Sequence, residues 1–404
     1  MASEEGLATG GALRLGEPGH PPAQGPAADA GDATQAERTI ARTAEPASPA
    51  ALARRRVRAE TNGGANGNGA AHALDAPHRR QERRPRIHEG PAVHAYRGFA
   101  WLVGHLPARL AWTVGGWVAL AGYVLWPTKR RWVRANFGHV LGVPASDPAA
   151  GRLARAAYWT YARYVVELLR LPGLDRRHAA DLVMADGLER FKELVAESRG
   201  TIVVVAHLAN NEALGAGLAS HGLPVSVVAD DTAYDELFDL LRRQRAVWGV
   251  QLIPWRNLRA VYGVLRRREI LGLLVDWGYR PDGIPVRFFD AWTTLPAGPA
   301  VLAARNGATI VPVLVRREED GRFRAWPAEP IRVASTAPAE LLRATQAIAD
   351  ELAAGIAAVP EQWYIFKPIW PDDPAEAERL ERLAGQMAAD RGGEARAGAE
   401  AALP

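Results

Sequence analysis

The residues best suited to chemistry lie at 207–212, where His207 is followed five positions later by Glu212 in the run HLANNE. An imidazole takes a proton from an alcohol near neutral pH, and a carboxylate can fix its tautomer and favour the imidazolium that forms. There is no cysteine, which excludes thiolate nucleophiles, disulfides and cysteine metal sites. No GxSxG elbow marks an activated serine. The simplest scheme is direct attack by an acceptor hydroxyl, with His207 as general base and Glu212 orienting it. A histidine at a strand end also serves structural or metal-binding roles, although HLANNE lacks the HExxH spacing of a zinc protease.

Charge that develops on a carbonyl under attack needs donors, and substrate phosphates need cations. Arg280 in YRPDGI and Arg287 in VRFFDAW follow a strand that ends at Asp276, and with Arg245 they are the candidate substrate-binding cations. Asn210 is a further candidate contact, and Asn210 or Asn211 is placed to cap the helix carrying Glu212. No GxGxxG follows a strand and no P-loop occurs, so neither a metal nor a nucleotide cofactor is expected.

These side chains need a scaffold, and the pattern around them is α/β. Thr201–Ala206 is a short run of buried-strand type, with His207 at its carboxyl end, where α/β sheets gather their sites. Similar runs at 223–231, 269–278 and 309–315 alternate with helical stretches. The expected fold is a central, mostly parallel sheet flanked by helices, with an N-terminal membrane-associated helix.

Four stretches divide the chain. Residues 1–90 run on Ala, Gly, Pro, Glu and Arg with almost nothing to bury, so a disordered leader is expected. Residues 91–128 contain seventeen uncharged residues from Leu110 to Trp126, punctuated by Trp112, Trp117 and Tyr123 and closed by Lys129-Arg130-Arg131. That is a membrane-associated segment, an anchor helix or an interfacial hairpin, and the basic stop places it at an anionic surface with the domain on the cytoplasmic side. A buried helix of the domain is the alternative. Residues 129–375 form the catalytic domain, and 376–404 a surface helix with a flexible tail. The net charge of +4 suits anionic lipid or phosphorylated substrates, and no nucleic-acid motif is present. Oligomeric state is not legible.

HLANNEALG at 207–215, VDWGYRPDGIPVRFFDAWTTLPAGPAVLA at 275–303, NGATIVPV at 306–313 and PEQWYIFKPIW at 360–370 occur in an order that resembles the lysophospholipid acyltransferase superfamily. Within it the chain is similar to the bacterial lipid A lauroyl acyltransferase branch, and most to phosphatidylinositol mannoside acyltransferases. RWVRANFGHVLG at 131–142 also fits, and the resemblance covers roughly residues 95 to 375. It implies an HX4(D/E) pair matched by His207 and Glu212. It also implies an acyl-CoA or acyl-carrier-protein donor and a hydroxyl acceptor on a membrane glycolipid, at the inner or plasma membrane. Acylation of lipid A or a lysophospholipid is the alternative reaction, and a non-catalytic lipid-binding protein the alternative class. The branch usually carries glycine and tryptophan within the motif, where this chain has Ala209 and Asn211. Its inositol-mannoside members tend to place a carboxylate shortly before the paired phenylalanines, and GIPVRFF has none.

Overall fold

The computed structural model describes residues 89–170, 181–230 and 235–390. The expected leader lies outside the described residues but for its last two, as does the end of the C-terminal tail.

Seven strands form one sheet. In chain order they are β1 (Val183–Ala185), β2 (Thr201–Val205), β3 (Val225–Ala229), β4 (Val250–Pro254), β5 (Ile270–Leu274), β8 (Thr309–Arg317) and β9 (Phe323–Pro327). Their spatial order is β1-β9-β8-β2-β5-β3-β4. All pairings are parallel except β8 with β9. β2, TIVVV, is buried along its whole length, as expected of a β-branched run in the middle of a sheet covered on both sides. Alternate residues serve opposite faces. Ile202, Val204, Leu271 and Ile310 join one core with α8 (Leu258–Arg266), α9 (Gly298–Asn306) and α10 (Pro338–Ala358). Val203, Val205, Ile270 and Val311 join the other with α5 (Leu188–Glu197) and α6 (Asn211–Ser220). α6 is made of small residues and lies close. A Cβ at Gly217 would stand 2.9 Å from Val183 Cβ, so only glycine fits there.

Two further strands, β6 (Ile284–Phe288) and β7 (Ala291–Leu295), form a separate antiparallel hairpin. Its turn residues Phe289 and Asp290 both have positive φ, as a two-residue turn matched to strand twist requires. Helix α7 (Asp235–Ala246) precedes β4, and α11 (Pro374–Ala389) follows the sheet domain.

Among the described residues, four helices precede β1: α1 (Glu89–His105), α2 (Ala108–Leu125), α3 (Pro127–Leu141) and α4 (Pro148–Arg170). α2 packs on α4 through Gly115 and Gly116, where a Cβ at Gly116 would stand 2.5 Å from the Trp159 ring. Its other side bears Leu110, Val114, Trp117, Val118, Val124 and Leu125, all exposed. Among the described residues α2 is the helix long and apolar enough to cross a membrane, and only 17% of it is buried. This face is therefore not packed into the domain.

Candidate active site

Sheet register assembles the site. β2 and β5 are parallel neighbours with Val205 opposite Leu274, and two residues further along each chain stand His207 and Asp276. His207 Nδ1 and Asp276 Oδ1 are 2.7 Å apart. The same carboxylate accepts from the His207 backbone N–H at 2.9 Å and from Trp363 Nε1 at 2.8 Å. Asp276 is fully buried, and burial pushes its carboxyl up. The adjoining His207 charge and these hydrogen bonds outweigh that, so the group lies below the ordinary carboxylate value. With Nδ1 committed to Asp276, Nε2 of the neutral ring carries the free lone pair.

The loop around His207 is pinned by the segment after α10, which returns as a 3₁₀ turn (Pro360–Gln362) and then crosses the carboxyl ends of the strands. Tyr364 N donates to His207 O at 2.8 Å, and Ala209 N to Gln362 O at 2.9 Å. Ala209 has a φ of 51°, the left-handed region that glycine occupies without strain. Asn210 then caps α6, its side chain accepting from Ala213 N at 3.0 Å. Its amide also donates to Glu167 at 3.4 Å. Glu167 in turn forms a bidentate pair with the buried Arg317 and a 3.2 Å pair with Arg163.

Glu212 sits in the first turn of α6, but its carboxylate is engaged elsewhere. It takes a bidentate pair from Arg245, in the last turn of α7, with Nε at 2.8 Å. The carboxylate bonded to His207 is Asp276, whereas Glu212, expected to orient the ring, is paired with Arg245. Burial works against the Arg245 cation, and the Glu212 charge more than restores it.

His207, Glu212 and Arg245 share one cavity of about 410 Å³, of ordinary small-ligand size. Its mouth is polar and aromatic. The Trp277 ring lies tilted against the His207 ring, centroids 5.3 Å apart, and carries Lys367 Nζ 4.1 Å over its own centre. Lys129, from α3, also lines it and donates to Phe366 O at 3.2 Å. Tyr161, Tyr164 and Tyr364 form a wall, and burial pushes the Tyr364 hydroxyl up to about 12, which keeps it protonated. The depth is apolar, between α6 and the sheet face of β2, β5, β3 and β4.

Three expected contacts lie outside this cavity. Arg280 is exposed and forks onto Asp282 at 3.0 Å. Arg287 points from β6 to Asp290 O at 3.2 Å. Asn210 is buried as a cap rather than presented to a ligand. Sequence reasoning missed Asp276, Trp277, Lys129 and Lys367 as site residues. A carboxylate at the end of a strand was the one visible signal for Asp276.

Residues 82–371 match the family described as bacterial lipid A biosynthesis acyltransferases. A phosphatidylinositol mannoside acyltransferase of Mycolicibacterium smegmatis is 29% identical over 256 residues, covering 62% of this chain and 82% of that protein. One from Mycobacterium tuberculosis is 29% identical over 261 residues, covering 62% and 79%.

Proposed function

This chain belongs to the bacterial lipid A biosynthesis acyltransferase family, and from that membership we propose a specific reaction for it. A long-chain fatty acyl group moves from a thioester donor, acyl-CoA or acyl-carrier protein, to a hydroxyl of a membrane glycolipid of the phosphatidylinositol mannoside type. That the chain is an acyltransferase follows from the family and its relatives; the donor, acceptor and residue roles are the proposal.

In this reading His207 Nε2 takes the proton of the acceptor hydroxyl as its oxygen attacks the thioester carbonyl. The new C–O bond forms, the tetrahedral intermediate collapses with cleavage of the C–S bond, and the imidazolium returns the proton to the departing thiolate. Asp276 holds the Nδ1–H tautomer and stabilises the imidazolium, the task first expected of Glu212. Glu212 instead fixes Arg245 in the cavity wall, where it, Lys129 and Lys367 offer cations to a donor or acceptor phosphate. The apolar depth takes the acyl chain, each buried methylene contributing about 0.8 kcal/mol.

A bilayer-resident acceptor requires the enzyme to come to the membrane. The exposed apolar side of α2, with Phe99, Trp101 and Leu102 of α1, supports attachment there, and Arg130 and Arg131 suit anionic headgroups. The site then works at the cytoplasmic face of the inner or plasma membrane. Domain limits follow the same scheme: a leader to residue 90, the membrane segment 91–128, the catalytic domain 129–375 and a terminal helix with tail.

The observation that carries this reading is the His207–Asp276 pair at the mouth of an apolar cavity. Full-length enzyme given radiolabelled palmitoyl-CoA and purified phosphatidylinositol mannosides should yield labelled glycolipid. The family description favours lipid A as the other acceptor, with lysophospholipid behind it. Label on either of these and none on the mannosides would overturn the proposed acceptor.

A further inference from the structure

We propose that two glycines on opposite walls of the cavity, Gly272 on β5 and Gly215 on α6, set the length of acyl chain this enzyme accepts; the inference rests on reading that cavity as the acyl site. Gly272 occupies the centre of a central strand. That is a poor place for glycine, which has no side chain to pack and loses most entropy on ordering. Its neighbours in register are Val203 on β2 and Val227 on β3, both β-branched and both lining the cavity. Valine continued across the row would close the slot at this level. A Cβ at Gly272 would stand 3.3 Å from Val227 Cγ2, so a side chain there competes with Val227 for the same space. Across the slot, a Cβ at Gly215 meets only Val250 Cγ2, at an ordinary 3.8 Å. A larger side chain at 215 would extend from α6 towards that wall.

The slot continues beneath Gly272 to Ile270, Val225 and Val250, the first residues of their strands. From that floor to His207 spans six residue steps on the β2 register, roughly 20 Å at about 3.3 Å per residue. Four of those steps, roughly 13 Å, lie above Gly272. With C–C bonds of about 1.5 Å an extended alkyl chain advances roughly 1.3 Å per carbon, so the full slot holds about 15 carbons and the part above Gly272 about 10.

The test uses full-length enzyme, phosphatidylinositol mannosides and saturated acyl-CoA donors from octanoyl to stearoyl. The reading is the ratio of palmitoyl to decanoyl transfer within each protein, which is insensitive to the amount of active enzyme. We expect Gly272→Val to lower that ratio at least tenfold. Gly215→Val should lower it in the same direction, with Gly215→Ala smaller. Gly215→Ala adds a helix-favouring residue where there is room, so it answers the question even where Gly272→Val does not fold. Ratios unchanged from wild type in the position-215 variants, with transfer still measurable, would refute the length assignment and leave the acyltransferase reading intact. Wild-type enzyme that moves no acyl group from any donor in the series counts against the acyl site itself.

Discussion

The two faces of the central sheet are built from the same residue types and end differently. Beneath one, Ile202, Val204, Leu271 and Ile310 meet Ile348, Leu352 and Ile356 of α10 in a filled core, every one of them essentially inaccessible to solvent. Over the other, Val203, Val205 and Ile270 face α6 across a cavity of about 410 Å³. Branched aliphatic strands do not make a cavity by themselves. The difference lies in the covering helix and in one strand glycine: α10 presents large side chains, whereas α6 presents Gly215 between Leu214 and Leu218, and β5 has Gly272 where a packed face would carry a side chain. A filled face contributes stability, while an open one gives up dispersion contacts to hold a ligand. Substitutions should therefore separate by face.

The largest effects belong to the mouth of the open face. His207→Ala should lower transfer by about 10² to 10⁴-fold, the usual contribution of a general base, in a protein that still melts cooperatively although the buried Asp276 has lost a partner. Asp276→Asn should lower it within the same range and should also lower stability in a pH-dependent way. The Asp276 carboxyl is depressed in the folded state, so its stabilisation is present above the unfolded carboxylate value of about 3.9. It is lost as pH falls through the lower folded value. Melts of wild type and Asp276→Asn should thus differ most near neutrality and converge in acid. Transfer within a few-fold of wild type in both variants, measured with labelled donor, would remove the pair from the chemistry.

Legibility in the sequence followed whether a feature was local. The strand of His207, the alternation of strand and helix and the uncharged run from Leu110 to Trp126 were all readable from runs of residues. The partner of His207 was not. Asp276 could be seen at a strand end, but its place beside His207 depends on β5 lying next to β2 in a given register, which no local pattern encodes. Glu212 was close in sequence, and its carboxylate was claimed by Arg245 from a helix whose position only the fold determines. Arg280 and Arg287 lie outside the cavity for a similar reason: the turn after Asp276 carries Arg280 outward to Asp282, and β6 belongs to a separate hairpin. Lys129 and Lys367 come from positions more than two hundred residues apart and meet only at the cavity.

On the filled face the effect should be on stability alone. Leu352→Ala, at a fully buried position, should cost about 2 to 5 kcal/mol in a denaturant titration. The rate per folded molecule should be retained. Leu218→Ala, on the wall of the existing cavity, removes the same atoms from a site that already lacks neighbours on one side, and should cost less. Equal costs at the two positions would mean that the open face is packed like the other and would undo the comparison.

Smaller effects are expected on the rim. Arg280→Gln and Arg287→Gln remove exposed cations outside the cavity, and exposed ion pairs are worth about 0 to 1 kcal/mol. Steady-state kcat and KM for both substrates should stay within about twofold of wild type. A KM for the donor raised tenfold or more by either substitution would return these arginines to phosphate binding, as their place after the Asp276 strand first suggested.

The smallest expected effect concerns how the His207 loop is held. Ala209 is forced to a φ of 51° because the chain must turn from β2 into α6 within the four residues between Ala206 and Asn211, with its N–H committed to Gln362 O. A side chain with a Cβ costs about 1–2 kcal/mol in that conformation, and glycine does not incur it. Glycine loses more backbone entropy on folding, by roughly 0.5–1 kcal/mol, which offsets part of the gain. Ala209→Gly should therefore raise stability by up to about 1 kcal/mol. Ala209 has its side chain buried against the open-face core, and losing that methyl trims the gain further. A loss of more than about 1 kcal/mol in a thermal melt would show that packing outweighs strain at this turn, so that the loop under His207 is held by its contacts with the core rather than against its own backbone preference.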